Sequence, residues 1–284
     1  MKIQTMTIVC GTKACNANCP FCISKMTPSD DILSENINIR NLKIACKLAK
    51  VGGATTCLIT GKGEPTLYPE LITEYIEHVN DTFPLIELQT NGINLSSIST
   101  DTIMKWHRYG LTTICLSSVH YDKSMNREIY GKEYPDIKEL TKRLHDFGFT
   151  VRLSVMLLKG YIDSESEVKN LINYCRDNNI KQLTIRPITA PCGGLKGNED
   201  VFNWIMHHKM AESTWEEIKL HVSLNSHKIL ELPHGATIYD YNGQNICLST
   251  CVTTNETSDD MRQIIFYPDG TISFDWKYKG SIIL

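Results

Sequence analysis

"CNANCPFC", Cys15 to Cys22, places three cysteines within eight positions, with three residues and then two between them. A structural zinc takes four ligands, a disulfide two and a fully ligated iron–sulfur cluster four. Three thiols on one short loop leave a position open, for Cys10 five residues upstream or for a ligand that is not protein. The run "MTIVC" (Met6–Cys10) leads into the loop, and five more β-rich runs follow: Thr55–Thr60, Leu85–Thr90, Thr112–Ser118, Thr150–Leu157 and Gln182–Pro187. Helical patterns separate them. One begins at Ser34 as N-cap and runs to Val51, with Ile37, Leu42, Ala45, Leu48 and Val51 on one face and Gly52-Gly53 as the stop. Another covers Pro135–Phe147 and ends at Gly148. A third covers Ser164–Asn178, opened by a capping box in which Ser164 and Glu167 bond each other's free amides.

Six strands alternating with helices predict parallel pairing through right-handed crossovers. Six units are too few for a closed eight-fold barrel, so the expected fold is α/β, a partial (β/α)6 TIM-like barrel. Function in such folds gathers at the carboxyl ends of the strands. The polar features sit there: the cysteine loop after strand one, "GKGEP" after strand two, "TNG" after strand three, "SS" ending strand four and "RP" ending strand six. After Thr189 the pattern changes to the glycine-rich "APCGGLKGN", a helix over Glu212–Val222 and a β-hairpin, "QIIFYPDGTISFDW", turning at Asp269-Gly270. Residues 1–189 are read as the barrel core and 190–284 as a small α+β extension closing one side of it.

The composition excludes several classes. Hydrophobic residues make up 42% of the 284 and charged residues 21%, ordinary for a soluble globular chain. A formal net charge of −3 announces no nucleic-acid partner. There is no signal-peptide pattern and no apolar run of membrane-spanning length. Eleven cysteines scattered over the chain do not form a secreted disulfide framework, so a reducing cytoplasm is expected.

The loop resembles the cluster loop of the radical S-adenosylmethionine (radical SAM) superfamily, C-x3-C-x2-C with an aromatic residue before the last cysteine. The likeness runs from about Thr5 to Pro187. It implies that Cys15, Cys19 and Cys22 hold a [4Fe–4S] cluster whose open iron takes the amino and carboxylate groups of S-adenosylmethionine, with Phe21 near the adenine. "TGKGEPTL" (Thr60–Leu67) is similar to the family's glycine-glycine-glutamate element, with Gly63 and Glu64 in place and Lys62 departing from it. Thr90 and Asn91 at the end of strand three, Ser117 or Ser118 at strand four, Ser154 on strand five and Arg186 on strand six complete the implied cofactor contacts. Cys46, Cys57, Cys115 and Cys175 read as core residues, and His120 as a surface histidine.

The tail resembles the auxiliary-cluster (SPASM/twitch) module of some relatives in degenerate form. Cys247 and Cys251 precede the hairpin, Phe274-Asp275-Trp276 stand where a later cysteine would fall, and Cys192 is a candidate third ligand of a second iron–sulfur cluster. A hairpin kept for packing after loss of its cluster is the preferred reading. The resemblance implies an enzyme that takes an electron from flavodoxin or ferredoxin and reductively cleaves S-adenosylmethionine. The resulting 5′-deoxyadenosyl radical abstracts hydrogen from a small-molecule or nucleotide-type substrate. A peptide-modifying maturase is the alternative within the family. A zinc-stabilised binding module, with Cys10 as fourth ligand, is the alternative outside it.

Overall fold

The computed structural model describes residues 2–27, 33–131, 133–190, 198–250 and 260–284. Six strands run in chain order: β1 (Ile3–Val9), β2 (Thr56–Thr60), β3 (Leu85–Thr90), β4 (Leu111–Ser118), β5 (Thr150–Leu157) and β6 (Gln182–Pro187). Each pairs in parallel with the next. Between them lie α1 (Ile39–Val51), α2 (Pro69–Val79), α3 (Thr100–Arg108), α4 (Lys123–Tyr130), α5 (Ile137–Asp146) and α6 (Glu165–Asp177). This is the expected partial barrel.

Its layering follows from a period of two. On β5, Val151, Leu153, Val155 and Leu157 are buried in the core they share with Leu140 and Leu144 of α5. The intervening Arg152, Ser154 and Met156 face the opposite side, the barrel interior. The register carries that row across the sheet: Gln89 opposite Cys115, Cys115 opposite Arg152, Ser117 opposite Ser154, and Met156 opposite Arg186.

The remaining chain adds α7 (Glu199–His208), α8 (Glu212–Leu224), β7 (His227–Glu231), β8 (Thr237–Tyr241), β9 (Gln244–Leu248), β10 (Met261–Phe266) and β11 (Ile272–Ser273). Among the described residues the sheet order is β11-β10-β1-β2-β3-β4-β5-β6-β9-β8-β7. The extension therefore flanks both edges rather than one: β10 lies parallel to β1, and β9 lies parallel to β6. The hairpin forms about its predicted turn, where Gly270 takes a φ of +100° and its amide donates to the Tyr267 carbonyl at 2.9 Å.

Local expectations shift in three places. Helix α1 starts four residues after its predicted cap, on Asn38, whose side chain accepts from the Asn41 amide. The hairpin fixes this start: Asn38 N–H donates to the Pro268 carbonyl, and Asn38 and Asn41 side chains donate to the Asp269 and Gly270 carbonyls. On the same helix Leu48 is 38% and Val51 89% exposed, while Leu42, Ala45, Cys46 and Ala49 form the buried face. Finally, Ser164 caps α6 by accepting from the Glu167 amide as predicted, and the Glu167 carboxylate accepts from the Tyr121 hydroxyl at 3.0 Å.

Candidate functional site

The cysteine loop leaves the sheet after β1 and is held against the turn that follows β2. The Glu64 amide donates to the Ala14 carbonyl at 2.9 Å. At Gly63 an added Cβ would fall 2.1 Å from the Ala14 carbonyl oxygen and 2.7 Å from that of Thr12. Gly63 is not in the left-handed region, so it is space and not backbone conformation that demands glycine here. The backbone it admits is that of the cysteine loop itself. Within the loop, the Ala17 amide donates to Cys15 Sγ at 3.4 Å, and Lys25 Nζ donates to the Asn18 side chain and the Cys19 carbonyl. Asn91 Nδ2 donates to Asn16 Oδ1 at 2.8 Å and lies 4.0 Å from Cys15 Sγ.

Cys15, Cys19 and Cys22 are free thiols, the first exposed and the other two half-buried. Burial raises the Cys19 pKa to about 12, with the neighbouring Cys22 and Cys15 thiolates pushing the same way. Burial also raises Cys15, against the pull of the Ala17 amide. Thiols crowded so that their thiolates repel fit a bound cationic iron centre, because coordination supplies the positive charge that deprotonation needs. The donor set is all sulfur, the ligand type iron–sulfur clusters most often use. Cys10 is fully buried in the hydrophobic core, with its pKa raised by burial, and it is not placed to be a fourth ligand to zinc.

Glu64 is 3% exposed, and its carboxylate accepts four hydrogen bonds. Oε1 takes the Thr66 amide at 3.0 Å, the Thr66 hydroxyl at 2.6 Å and the Thr90 hydroxyl at 2.6 Å; Oε2 takes the Asn91 amide at 2.9 Å. Glu64 thus ties the turn after β2 to the end of β3, and through Asn91 to the cysteine loop. Beside it Lys62 is also buried. Its ammonium donates to Thr27 Oγ1 and sits 5.1 Å from the centre of the Trp276 ring. Burial lowers the Lys62 pKa to about 8, the Cys22 thiolate opposing the shift and Lys13 adding to it.

A cavity of about 160 Å³ opens on the interior face of the strands. Its lining includes Phe21, Ser117, Ser118, Ser154 and Arg186, all singled out from the sequence, together with Gln89, Cys115, Tyr130 and Met156. The polar groups fall into two sets. Ser118 Oγ donates to the His120 carbonyl at 2.6 Å and lies 3.0 Å from Asn126 Oδ1, so it closes the loop after β4. Arg186 Nε is buried without a hydrogen-bond partner among the described residues. Beneath the cavity Arg152 pairs with Glu87, and its Nε donates to Cys115 Sγ at 3.4 Å.

Four lining residues escape sequence reasoning. Gln89 and Met156 are legible in principle, since they share strand parity with Cys115 and Arg186. Tyr130 lies on α4, whose contribution to the interior carries no local signal. Cys115 is 2% exposed and lies on the cavity rather than in the apolar core, unlike Cys46, Cys57 and Cys175. His120, expected at the surface, is buried: its Nδ1 accepts from the Asp122 amide at 2.8 Å, and burial lowers its pKa. Cys247 lies on β9 opposite Thr184, half-buried, and Cys192 and Cys251 lie outside the described residues. From the extension, Trp204 on α7 packs against Phe21 with ring centres 5.7 Å apart.

A cysteine loop seated at the carboxyl ends of a parallel partial barrel, beside a cavity whose Arg186 Nε has no hydrogen-bond partner among the described residues, defines a cofactor-dependent enzyme of the TIM-like kind. The Radical SAM superfamily model matches residues 9–175, more than half of the chain, and the protein belongs to that superfamily. Its cofactors are accordingly a [4Fe–4S] cluster and S-adenosylmethionine. GTP 3′,8-cyclase of Sulfurovum sp. (strain NBC37-1) is 29% identical over 175 residues, 60% of this chain and 51% of that protein. The chain spans about half the length of the curated relatives it matches. Streptococcus suis SuiB bound to S-adenosylmethionine shares the fold with a TM-score of 0.58 at 16% identity, over 95% of this chain and 60% of that one. SuiB bound to its precursor peptide SuiA gives 0.57 at 16% identity, over 96% and 59%. Among the described residues no helix is long and apolar enough to cross a membrane.

Proposed function

We propose that this protein reductively cleaves S-adenosylmethionine and uses the resulting 5′-deoxyadenosyl radical to remove a hydrogen atom from a small-molecule or nucleotide-type substrate. Cys15, Cys19 and Cys22 would hold the cluster. When bound, the cluster and S-adenosylmethionine supply an electron and a radical precursor that no side chain can supply. The chain's own residues orient and enclose. Gly63 and Glu64 seat the cysteine loop, with Thr90 and Asn91 bracing it from β3. Ser117 and Ser154 offer hydroxyls to the ribose side. Arg186 pairs with the methionyl carboxylate by a charge-assisted bond. Phe21, with Trp204 behind it, walls the adenine side from water. Ser118 is occupied at the end of β4 and holds the loop rather than the ligand.

The observation that carries this reading is the joint between the cysteine loop and the Gly63–Glu64 turn, beside a cavity whose Arg186 Nε has no hydrogen-bond partner among the described residues. The nucleotide-type substrate rests on the name of the matched cyclase. A peptide substrate is the second reading. It is favoured by SuiB, solved with a precursor peptide, sharing the fold over nearly all of this chain, extension included. Residues 1–189 would form the catalytic core and 190–284 an extension of degenerate auxiliary-cluster type, its hairpin retained for packing. The electron donor would be a cytoplasmic flavodoxin or ferredoxin.

Anaerobic reconstitution tests the proposal. The expected product holds about four irons and, once reduced, releases methionine and 5′-deoxyadenosine. Cys19→Ala should abolish release while retaining the fold. Release that survives Cys19→Ala, or a protein holding one zinc and no iron, refutes it.

A further inference from the structure

Lys62 stands where the family element carries a glycine, and its surroundings are unusual for a lysine. It is 5% exposed, yet among the described residues its ammonium has no carboxylate partner; what surrounds it is the Thr27 hydroxyl and the Trp276 indole, 5.1 Å to the ring centre. Buried lysines are almost always paired, because a desolvated ammonium without a counter-charge is costly. A neutral hydroxyl and a ring face offset part of that cost. The cysteine loop lies against the same turn: an added Cβ at Gly63, the next residue, would fall 2.1 Å from the Ala14 carbonyl oxygen, and the Glu64 amide donates to that carbonyl at 2.9 Å.

The tail builds this arrangement. Trp276 packs on the apolar cluster of Val9, Ile265 and Tyr267, with Tyr267 edge-on at 6.2 Å. The Asp275 carboxylate accepts from the Lys277 amide at 2.6 Å and shapes the turn beside it. Trp276 thus supplies an aromatic plane against the turn after β2. It holds the lysine chain down and keeps water from the ammonium.

We propose that Lys62, held by Trp276 and Thr27, is the internal counter-ion of the thiolate-bound cluster and raises its reduction potential. This rests on the cluster-binding reading above. Reduction brings one electron from an external flavin or iron–sulfur donor and no proton, so one negative charge is added beside a fixed positive one. A low-dielectric, enclosed site makes that attraction stronger than it would be in water. Lys62 is a positioning residue for charge and touches no reacting atom.

The test is a spectroelectrochemical titration of reconstituted, S-adenosylmethionine-free protein, following the electron paramagnetic resonance signal of the reduced cluster. Iron content and thermal midpoint are measured on the same samples. Lys62→Met, which keeps chain length and removes charge, should load iron as wild type does. It should reduce with an equilibrium constant about tenfold less favourable, a fall of about 59 mV for a one-electron couple. Lys62→Arg should stay near wild type. A Lys62→Met potential equal to wild type overturns the proposal and leaves Lys62 with a purely structural role or a substrate anion to bind. If Lys62→Met fails to load, Trp276→Leu decides, because it leaves the lysine in place and lets water screen it. Its potential should fall in the same direction, and an unchanged value overturns the proposal. Wild-type protein that holds no cluster fails the function itself, before any variant is compared.

Discussion

Replacing Glu64 by glutamine keeps the shape of the side chain and removes one acceptor. The native carboxylate takes two backbone amides and two hydroxyls in a site closed to water. Glutamine keeps three of these bonds if its oxygen faces Thr66 and Thr90. Its amide group then faces the Asn91 N–H, donor against donor. A bond to a charged acceptor contributes about 1.5–3 kcal/mol, and a buried donor left unmet costs about 1–3 kcal/mol. The three surviving bonds also lose their charge assistance. A net loss of about 2–3 kcal/mol follows, and at about 2 °C per kcal/mol for a chain of this size the thermal midpoint should fall by about 4–6 °C. The assay is differential scanning calorimetry of the iron-free protein, so that cluster loss cannot account for the result. A midpoint within about 1 °C of wild type would refute the claim that Glu64 is a strut between β2 and β3.

Gly63→Ala places a methyl group on the Ala14 carbonyl, and the whole loop must move. It should cost about 1–3 kcal/mol of stability and lower iron retention on gel filtration, with wild-type retention as the contrary result. Arg186→Met removes a charge-assisted contact of about 1.5–3 kcal/mol. It should weaken S-adenosylmethionine binding by about 10- to 100-fold in anaerobic calorimetry, and unchanged affinity would remove Arg186 from the cofactor site. His234 has its pKa lowered to about 4, by burial first and then by Arg262. The unfolded chain therefore takes up this proton before the folded one does. Its contribution is complete above the ordinary value of 6.5 and is lost as the pH falls from there towards 4. His234→Gln should flatten the thermal midpoint over that window, and a pH profile parallel to wild type would contradict it.

The strands and helices of the barrel are legible because two signals agree. The run Thr150–Leu157 alternates residue by residue, and its odd-numbered members are the buried ones. The polar motifs fall at strand ends, where a parallel sheet puts its functional loops. The start of α1 is not legible from local rules, since Ser34 and Asn38 are both good caps. What selects Asn38 is the hairpin turn some 230 residues later, which accepts hydrogen bonds from Asn38 and Asn41. Strands β7 to β9 and helix α7 escape for the opposite reason. The burial signal is weak in three of them, every residue of β7 being exposed while β8 buries only Tyr241 and α7 only Ile205, and β9 alternates over only five residues. Cys115 reads as core because it stands between Ile114 and Leu116, but parity turns it towards Arg152 instead.

Parity also separates the two serines that sequence alone leaves undecided. Adjacent residues start from opposite faces of a strand, and although both serines line the cavity, Ser118 Oγ is already committed to protein groups. Ser117 lies opposite Ser154 in the register, on the row that continues to Thr184 and then to Cys247. Ser118 is bound up with His120 and Asn126. The same division runs through the site. Gly63, Glu64, Thr90, Asn91 and Ser118 carry motif signals but spend their hydrogen bonds, or their missing side chain, on seating loops. Arg186 keeps its Nε without a hydrogen-bond partner among the described residues, at the cavity wall. A motif residue fully satisfied by protein can act on a ligand only through the geometry it holds. One left unsatisfied in an enclosed cavity carries a desolvation cost that a ligand would relieve. Mutations in the first set should therefore move stability and iron retention together, and mutations in the second should move affinity alone.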